Sequence, residues 1–246
     1  MFFIFANRVP GWSTPVCYEP PGQDSLPYGS GLRRDDRRIV VLNIGRRASA
    51  QFQPMLTQLT LLSERLLLRP FHPHDENDLQ HLASQHDIAD TMISLPHPYP
   101  DGHAQRCIVR YTEDFYAGRA AHFAITLKAS GQLIGSIELR DIDREHLQAE
   151  LSLWVTPPQW GRGYATEAAG SVLPYGFQQL GLNRIYAYHL TRNAASGRVL
   201  EKAGFQREGL LRQRVRKWDV FEDVVALALL REQWLAKAKE PLCKNT

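Results

Sequence analysis

The chain has 246 residues, 43% of them hydrophobic and 22% charged, the composition of an ordinary globular protein long enough for one domain with an appendage. No apolar run approaches the roughly 18 residues of a membrane span, and the opening MFFIFANR offers about five apolar residues with no basic residue before them, short of the ~7–15 of a secretion signal. The net charge is only +3, and the three cysteines, Cys17, Cys107 and Cys243, stand far apart, which argues against a disulfide framework or a cysteine zinc site and fits a reducing, cytoplasmic setting.

Residues 1–54 hold six prolines, five glycines, seven arginines and four acids, so they carry the whole net charge. Without periodicity they read as a solvated tract, either a disordered extension or an over-extended gene start, since Met55 stands where a shorter chain would begin. The remainder balances 22 basic against 22 acidic residues, and no nucleic-acid or membrane partner is read from it.

Regular patterning starts with RLLLRPF (65–71), a short apolar strand. HPHDENDLQHLASQ (72–85) reads as a helix, with His74 or Asp75 near its cap and Leu79 and Leu82 at helical spacing. After the proline-rich loop LPHPYPDG, a second helix carries Ala104, Ile108, Tyr111 and Phe115 on one face and ends at Gly118. HFAITLK and QLIGSIELRDID form a hairpin around ASG, and AELSLWV (149–155) is a third antiparallel strand. TPPQWGRG breaks the pattern before YATEAAGSVLPYGFQQLG, a helix that Pro174 should kink. RIYAYHL (184–190) is a strand, and NAASGRVLEKAG is a helix with Asn193 at its N-cap and Gly204 just past its end. FQREGLLRQRVRKW and FEDVVALALLREQW follow, the latter containing the strand-like DVVALAL. The order β-α-α-β-β-β-α-β-α-β-β predicts an α/β fold: a mixed, mostly antiparallel sheet with helices packed on it.

The stretch PQWGRGYATEA (158–168) places Gly161 and Gly163 just where a helix begins. A helix start presents free N–H groups and a partial positive charge, a ready site for an anion. Two glycines remove Cβ atoms that would keep a ligand off the backbone, and Arg162 adds a cation, so a pyrophosphate is the natural ligand. The motif has neither the third glycine of a dinucleotide fingerprint nor the Gly-Lys-Ser/Thr of a P-loop. Asn193 and Ser196, three residues apart, share one side of another helix start. If AELSLWV and RIYAYHL lie side by side and diverge, a cleft between them opens toward both helix N-termini.

Together PPQWGRGYATEA, TRNAASGRVLEKAGFQREG and FEDVVALAL resemble the GNAT-fold N-acetyltransferases, and within them the ribosomal-protein alanine acetyltransferases of the RimJ/RimL type. The resemblance spans about residues 57–235 and implies an acyl-CoA N-acyltransferase domain over 55–240, with a splayed central strand pair and helices on both faces. The family's acetyl-CoA signature, Gln/Arg-x-x-Gly-x-Gly/Ala, lands on Trp160, Gly161, Arg162, Gly163, Tyr164 and Ala165, with Trp160 replacing Gln or Arg. The resemblance implies that the amides from Gly161 to Thr166 hold the CoA pyrophosphate. It also implies that backbone near Leu153 and Val155 bonds the pantetheine arm from one side and Asn193 from the other, with no metal.

Acetyl transfer to an amine needs a neutral amine, an oxyanion donor and a proton for the departing thiolate. An α-amino group, with a pKa of about 7.7–8, is partly neutral already. Ser196 is placed by the resemblance near the CoA sulfur. Many relatives carry a tyrosine seven residues after the asparagine, where this chain has Leu200, so the acid role moves toward Ser196. Glu150, opening AELSLWV, is the candidate base, and a backbone N–H near Leu153 the oxyanion donor. His97 lies on a loop that could line the acceptor site. His122, His189, Trp154, Tyr186 and Tyr188 sit in strands and read as packing, Asp223 reads as structural, and His72 and His74 lack a third metal ligand. The favoured acceptor is a protein N-terminal α-amine, reached by direct transfer in a ternary complex, since no cysteine lies in the motifs. A small-molecule amine (an aminoglycoside, a polyamine or an amino acid) and a non-catalytic CoA-binding sensor are the alternatives, as a monomer or a homodimer.

Overall fold

A computed structural model describes residues 58–239, and the expectations for residues 1–54 lie outside the described residues. Eight strands form one sheet in the order β1-β2-β3-β4-β5-β6-β8-β7. They are β1 (Leu61–Leu62), β2 (Leu66–Arg69), β3 (Ala121–Leu127), β4 (Leu133–Asp143), β5 (Gln148–Val155), β6 (Arg184–Leu190), β7 (Gln206–Lys217) and β8 (Val220–Leu230). Every neighbouring pair is antiparallel except β5 and β6, which are parallel. That pair is joined only at Gln148↔Arg184, Ala149↔Ile185 and Glu150↔Tyr186. Beyond Glu150 the two strands part, so the predicted divergence is present and the β6-facing edge of residues 151–155 is left without a partner strand.

The helices are α1 (Glu76–Ala83), α2 (His86–Thr91), α3 (His103–Tyr116), α4 (Tyr164–Pro174), α5 (Ala194–Ala203) and α6 (Arg231–Lys239). Two apolar clusters follow from the period-2 alternation of the strands. One joins Phe123, Ile125, Ile137, Leu139 and Leu151 to Ala168, Ala169 and Val172 of α4 and Leu200 of α5. The other joins Phe71, Ala124 and Leu133 to Leu79, Ala83, Ala104 and Ile108 of α1 and α3. Helices therefore cover both faces, and α4 and α5 each start where a central strand ends. Among the described residues no helix is long and apolar enough to cross a membrane.

Pro174 acts at a helix boundary. It has no N–H to donate, and from Tyr175 to Gln179 the backbone widens into a π turn, in which the Leu180 N–H reaches Tyr175 O at 3.0 Å. Three elements were not expected. β1 has two residues, too few to show a pattern. α2 is a six-residue helix that is separated from α1 by two residues and precedes the irregular stretch 92–102. α6 begins directly at the end of β8, where the Gln233 side chain accepts the Leu230 N–H at 3.0 Å and Trp234 stacks on Phe177 with ring centroids 5.4 Å apart. Asp75 stands at the start of α1 yet makes no cap bond there. Its carboxylate takes two hydrogen bonds from Arg69, at 2.6 and 2.8 Å, and one from the His72 N–H.

Candidate active site

The split between β5 and β6 holds a cavity of about 360 Å³. Its walls come from four places: strands β5 and β6 with Arg140 of β4, the β5–α4 turn and the start of α4, helix α5 from Ala195 to Lys202, and residues 91–94 at the end of α2. Of the residues singled out in the sequence, Glu150, Leu153, Val155, Trp160, Gly161, Gly163, Tyr164, Ala165, Thr166, Asn193 and Ser196 all line it. Arg162 does not; its carbonyl oxygen accepts a bond from Arg65 Nη1 at 3.1 Å.

The β5–α4 turn is shaped by backbone conformation. Gly161 and Gly163 have φ of +74° and +83°, in the left-handed region that only glycine enters cheaply. A Cβ on Gly161 would meet nothing within 4 Å, so the space above it is open. Among the described residues, the amides of residues 161–166 have no hydrogen-bond acceptor. Six free donors at a helix start are suited to an anion. The turn is anchored from outside: Arg65 bonds Glu167 through Nε at 2.7 Å and lies 4.4 Å over the Tyr164 ring. Trp160, 48% exposed, ties the turn back to the strand through an Nε1–H bond to Val155 O, which engages that carbonyl.

On the α5 side, Asn193 caps the helix. Its Oδ1 accepts the Ser196 N–H at 3.1 Å, and its Nδ2 donates to Thr91 O at 3.3 Å. The side chain expected to grip the ligand thus bonds backbone on both sides of the cleft. The Ser196 hydroxyl lines the cavity with no hydrogen-bond partner among the described residues. Leu200, in the tyrosine position, is buried beneath it at 3% exposure. Gly197 lets α5 sit close to β6: a Cβ there would come within 2.9 Å of His189 Nε2.

The opposite wall carries the charge. Glu150 is 3% exposed, where a solvated strand end would leave it open. It lies directly across from Arg140 in the β4–β5 register, and Arg140 Nη2 bonds its Oε1 at 2.5 Å. Burial pushes the Glu150 carboxyl above its ordinary value, against the pull of Arg140. Arg140 Nη1 reaches Glu138 Oε1 at 3.4 Å and Ser94 Oγ at 3.2 Å. Glu138 in turn faces His122, whose Nδ1 is 2.6 Å away. Burial opposes the Glu138 charge, but His122, Arg140 and a Ser152 hydrogen bond outweigh it and hold the carboxyl at about 2.

This wall corrects several expectations. His122 packs in its strand, stacked on Tyr111 with centroids 3.9 Å apart, and also stands 2.6 Å from Glu138. Trp154, Tyr188 and His189 line the cavity as well as packing in the strands. His97 is not among the lining residues; it packs edge-on against His86, 5.1 Å between ring centroids. Asp223 is structural as expected, accepting the Gln213 N–H at 2.7 Å where Gln213 takes a positive φ in a bulge of β7. Arg140 and residues 91–94 went unnoticed in the sequence. The alternation of Glu138 and Arg140 along β4 was a signal, but it reads equally as a solvated strand face. Residues 91–94 are held by Asn193, by Lys217 Nζ on Met92 O at 2.8 Å and by Arg140 on Ser94.

Residues 65–206 match the family described as acetyltransferase (GNAT) domain. An uncharacterized N-acetyltransferase, p20, of Bacillus licheniformis is 32% identical over 176 residues, covering 71% of this chain and 98% of that protein. Shorter matches reach a putative ribosomal N-acetyltransferase of Bacillus subtilis, 32% identical over 42% of this chain and 57% of that one. Spermidine N(1)-acetyltransferase of Escherichia coli K12 is 29% identical over 47% of this chain and 62% of its own length. The crystal structure of a GNAT-family acetyltransferase from Bacillus anthracis superposes with a TM-score of 0.63 at 27% identity, covering 71% of this chain and 99% of that one.

Proposed function

This chain belongs to the GNAT acetyltransferase family, and from that premise we propose that it carries the acetyl group of acetyl-CoA to a protein N-terminal α-amine by direct transfer in a ternary complex. We assign the activity to residues 55–240, working in the reducing cytoplasm that the scattered cysteines favour.

The amides of residues 161–166 and the open space over Gly161 fit a pyrophosphate, and Arg198 and Lys202 of α5, which line the same cavity, add positive charge. Bound there, acetyl-CoA supplies a thioester carbonyl open to attack by an amine. In our reading Glu150 takes the proton that the amine nitrogen gives up as the new C–N bond forms. The Ser196 hydroxyl faces the departing sulfur and stabilises its charge. Trp154 and Leu153 wall off water, and Asn193 fixes the start of α5 and residues 91–94 together.

The observation that carries the acceptor class is the charge of the cavity. Among its lining residues are one carboxylate, Glu150, and three cations, Arg140, Arg198 and Lys202, and Glu150 is already paired with Arg140. A polyamine, cationic at every nitrogen, finds no free acid there. An α-amine, partly neutral near pH 7–8, needs only one base. The spermidine acetyltransferase relative favours the polyamine reading, and a thiol-release assay separates the two. With the full chain and acetyl-CoA, peptides with a free α-amine should drive release and spermidine should not. Release with spermidine and none with any peptide would overturn the acceptor assignment.

A further inference from the structure

We infer that Arg140 is a positioning residue for acetyl transfer: its single guanidinium is divided between Glu138 and Glu150, and the division sets how readily Glu150 takes a proton at the cavity. The inference rests on the reading of Glu150 as the base.

Four titratable side chains stand in a row across three adjacent strands. His122 on β3 is directly opposite Glu138 on β4, and Arg140 on β4 is directly opposite Glu150 on β5. Even-numbered positions share one face of the sheet, the face covered by α1 and α3. Water does not separate these groups, because Glu150 and His122 are 3% and 6% exposed. Arg140 is closer to Glu150, at 2.5 Å, than to Glu138, at 3.4 Å. Glu138 has a second neighbour, His122, whose Nδ1 is 2.6 Å from its Oε2, and the guanidinium lies nearer to Glu150. The third contact of Arg140, to Ser94 Oγ, ties the same guanidinium to residues 91–94, which line the cavity.

The other charged or titratable groups facing Glu150 are Asp141 on β4 and Tyr186 and Tyr188 on β6. Both tyrosines are pushed up by burial first and then by Glu150, so they stay neutral at neutral pH. Asp141 adds a like charge beside Glu150. The remaining groups around the row are Tyr111, stacked on His122, and Ser152, bonded to Glu138. Arg140 is therefore the one cation in contact with Glu150 among the described residues, and Glu138 is the anion that competes for it.

The consequence has a sign. Removing the guanidinium leaves the Glu150 charge buried and unpaired, which raises its proton affinity. Removing the Glu138 charge takes away a nearby anion and frees Arg140 for Glu150, which lowers it. The test is the pH profile of kcat for peptide acetylation at saturating substrates, with the same peptide throughout so that its own ionisation cancels between variants. Arg140→Gln should move the acid limb to higher pH by about one unit or more, Glu138→Gln should move it to lower pH, and Arg140→Lys should return it most of the way toward wild type. A merely structural role would lower kcat without opposed movements of the limb. Should Arg140→Gln fail to fold, the infrared band of the protonated Glu150 carboxyl, titrated in wild type and in Glu138→Gln, reads the same displacement. Glu150→Gln separates the two levels of the account. If it leaves the acid limb in place, both the base assignment and the inference fall. If it abolishes the limb while Arg140→Gln and Glu138→Gln leave the midpoint unmoved, or move it in one direction, the inference alone is overturned.

Discussion

The two walls of the cleft are built on different logic. The β5–α4 turn is local: a short run of backbone takes left-handed φ at Gly161 and Gly163, exposes free amides, and is complete within residues 160–166. The β4–β5 wall is distributed: His122, Glu138, Arg140 and Glu150 come together only through strand register, and residues 91–94 are fastened by side chains as far off as Asn193 and Lys217. The difference teaches that the turn wall depends on conformation and the β4–β5 wall on charge; in the proposed function the first binds CoA and the second handles the proton. Changes on the first should act on CoA affinity, and changes on the second on proton affinity and acceptor handling.

The largest expected effect lies on the charged wall. Glu138, held at about 2 in the folded protein rather than near 4.5, contributes up to ~3 kcal/mol of stability. Because its folded value is depressed, that contribution is full above about pH 4.5 and is lost as pH falls toward 2. Urea unfolding followed against pH should show this slope, and Glu138→Gln should flatten it. A wild-type slope that persists in Glu138→Gln would assign acid sensitivity to other carboxylates.

Next is Ser196→Ala, which removes a hydroxyl that has no other partner among the described residues. A hydrogen bond to a charged group is worth about 1.5–3 kcal/mol, so kcat should fall roughly 10- to 100-fold while CoA affinity by calorimetry stays unchanged. An unchanged kcat would remove Ser196 from the chemistry. Gly163→Ala tests the conformational wall. At φ of +83° a Cβ costs about 1–2 kcal/mol, and CoA affinity should weaken about tenfold. Gly170→Ala, in the exposed middle of α4 with nothing near its Cβ, should leave affinity unchanged and raise stability by ~0.5–1 kcal/mol. The smallest effect is expected from Lys217→Met, which frees Met92 O from its bond. A loss of about 1 kcal/mol should raise the KM for the acceptor several-fold and leave that for acetyl-CoA unaltered. An equal rise in both would place residues 91–94 outside the acceptor side.

The same contrast explains what could be read from the sequence. The glycine turn, the Asn193 cap, the ends at Gly118 and Gly204 and the strands of the central sheet rest on local chemistry, and each stands where the residues indicate. The splaying of β5 from β6 is expected through the resemblance, and the pairing that stops at Glu150 shows it. The charged wall is only half visible in the sequence. Glu150 could be named, but its burial could not, because a carboxylate at the start of a strand carries no mark of the helices that will cover it. Arg140, two residues beyond Glu138, looks like the solvent face of an edge until α1 and α3 close over it. α2 and α6 are short and held by contacts from elsewhere, Asn193 on Thr91 and Phe177 on Trp234, which no window along the chain displays.

The central claim is that the cleft between β5 and β6 transfers acetyl groups, with Glu150 as its base. The most direct test is the rate at which the full chain acetylates a peptide α-amine from acetyl-CoA, followed by mass spectrometry, in wild type and Glu150→Gln. The account predicts acetylation at the N-terminal nitrogen by wild type and a loss of about 100-fold or more in kcat for Glu150→Gln, with CoA affinity intact. Equal rates for the two proteins would contradict it.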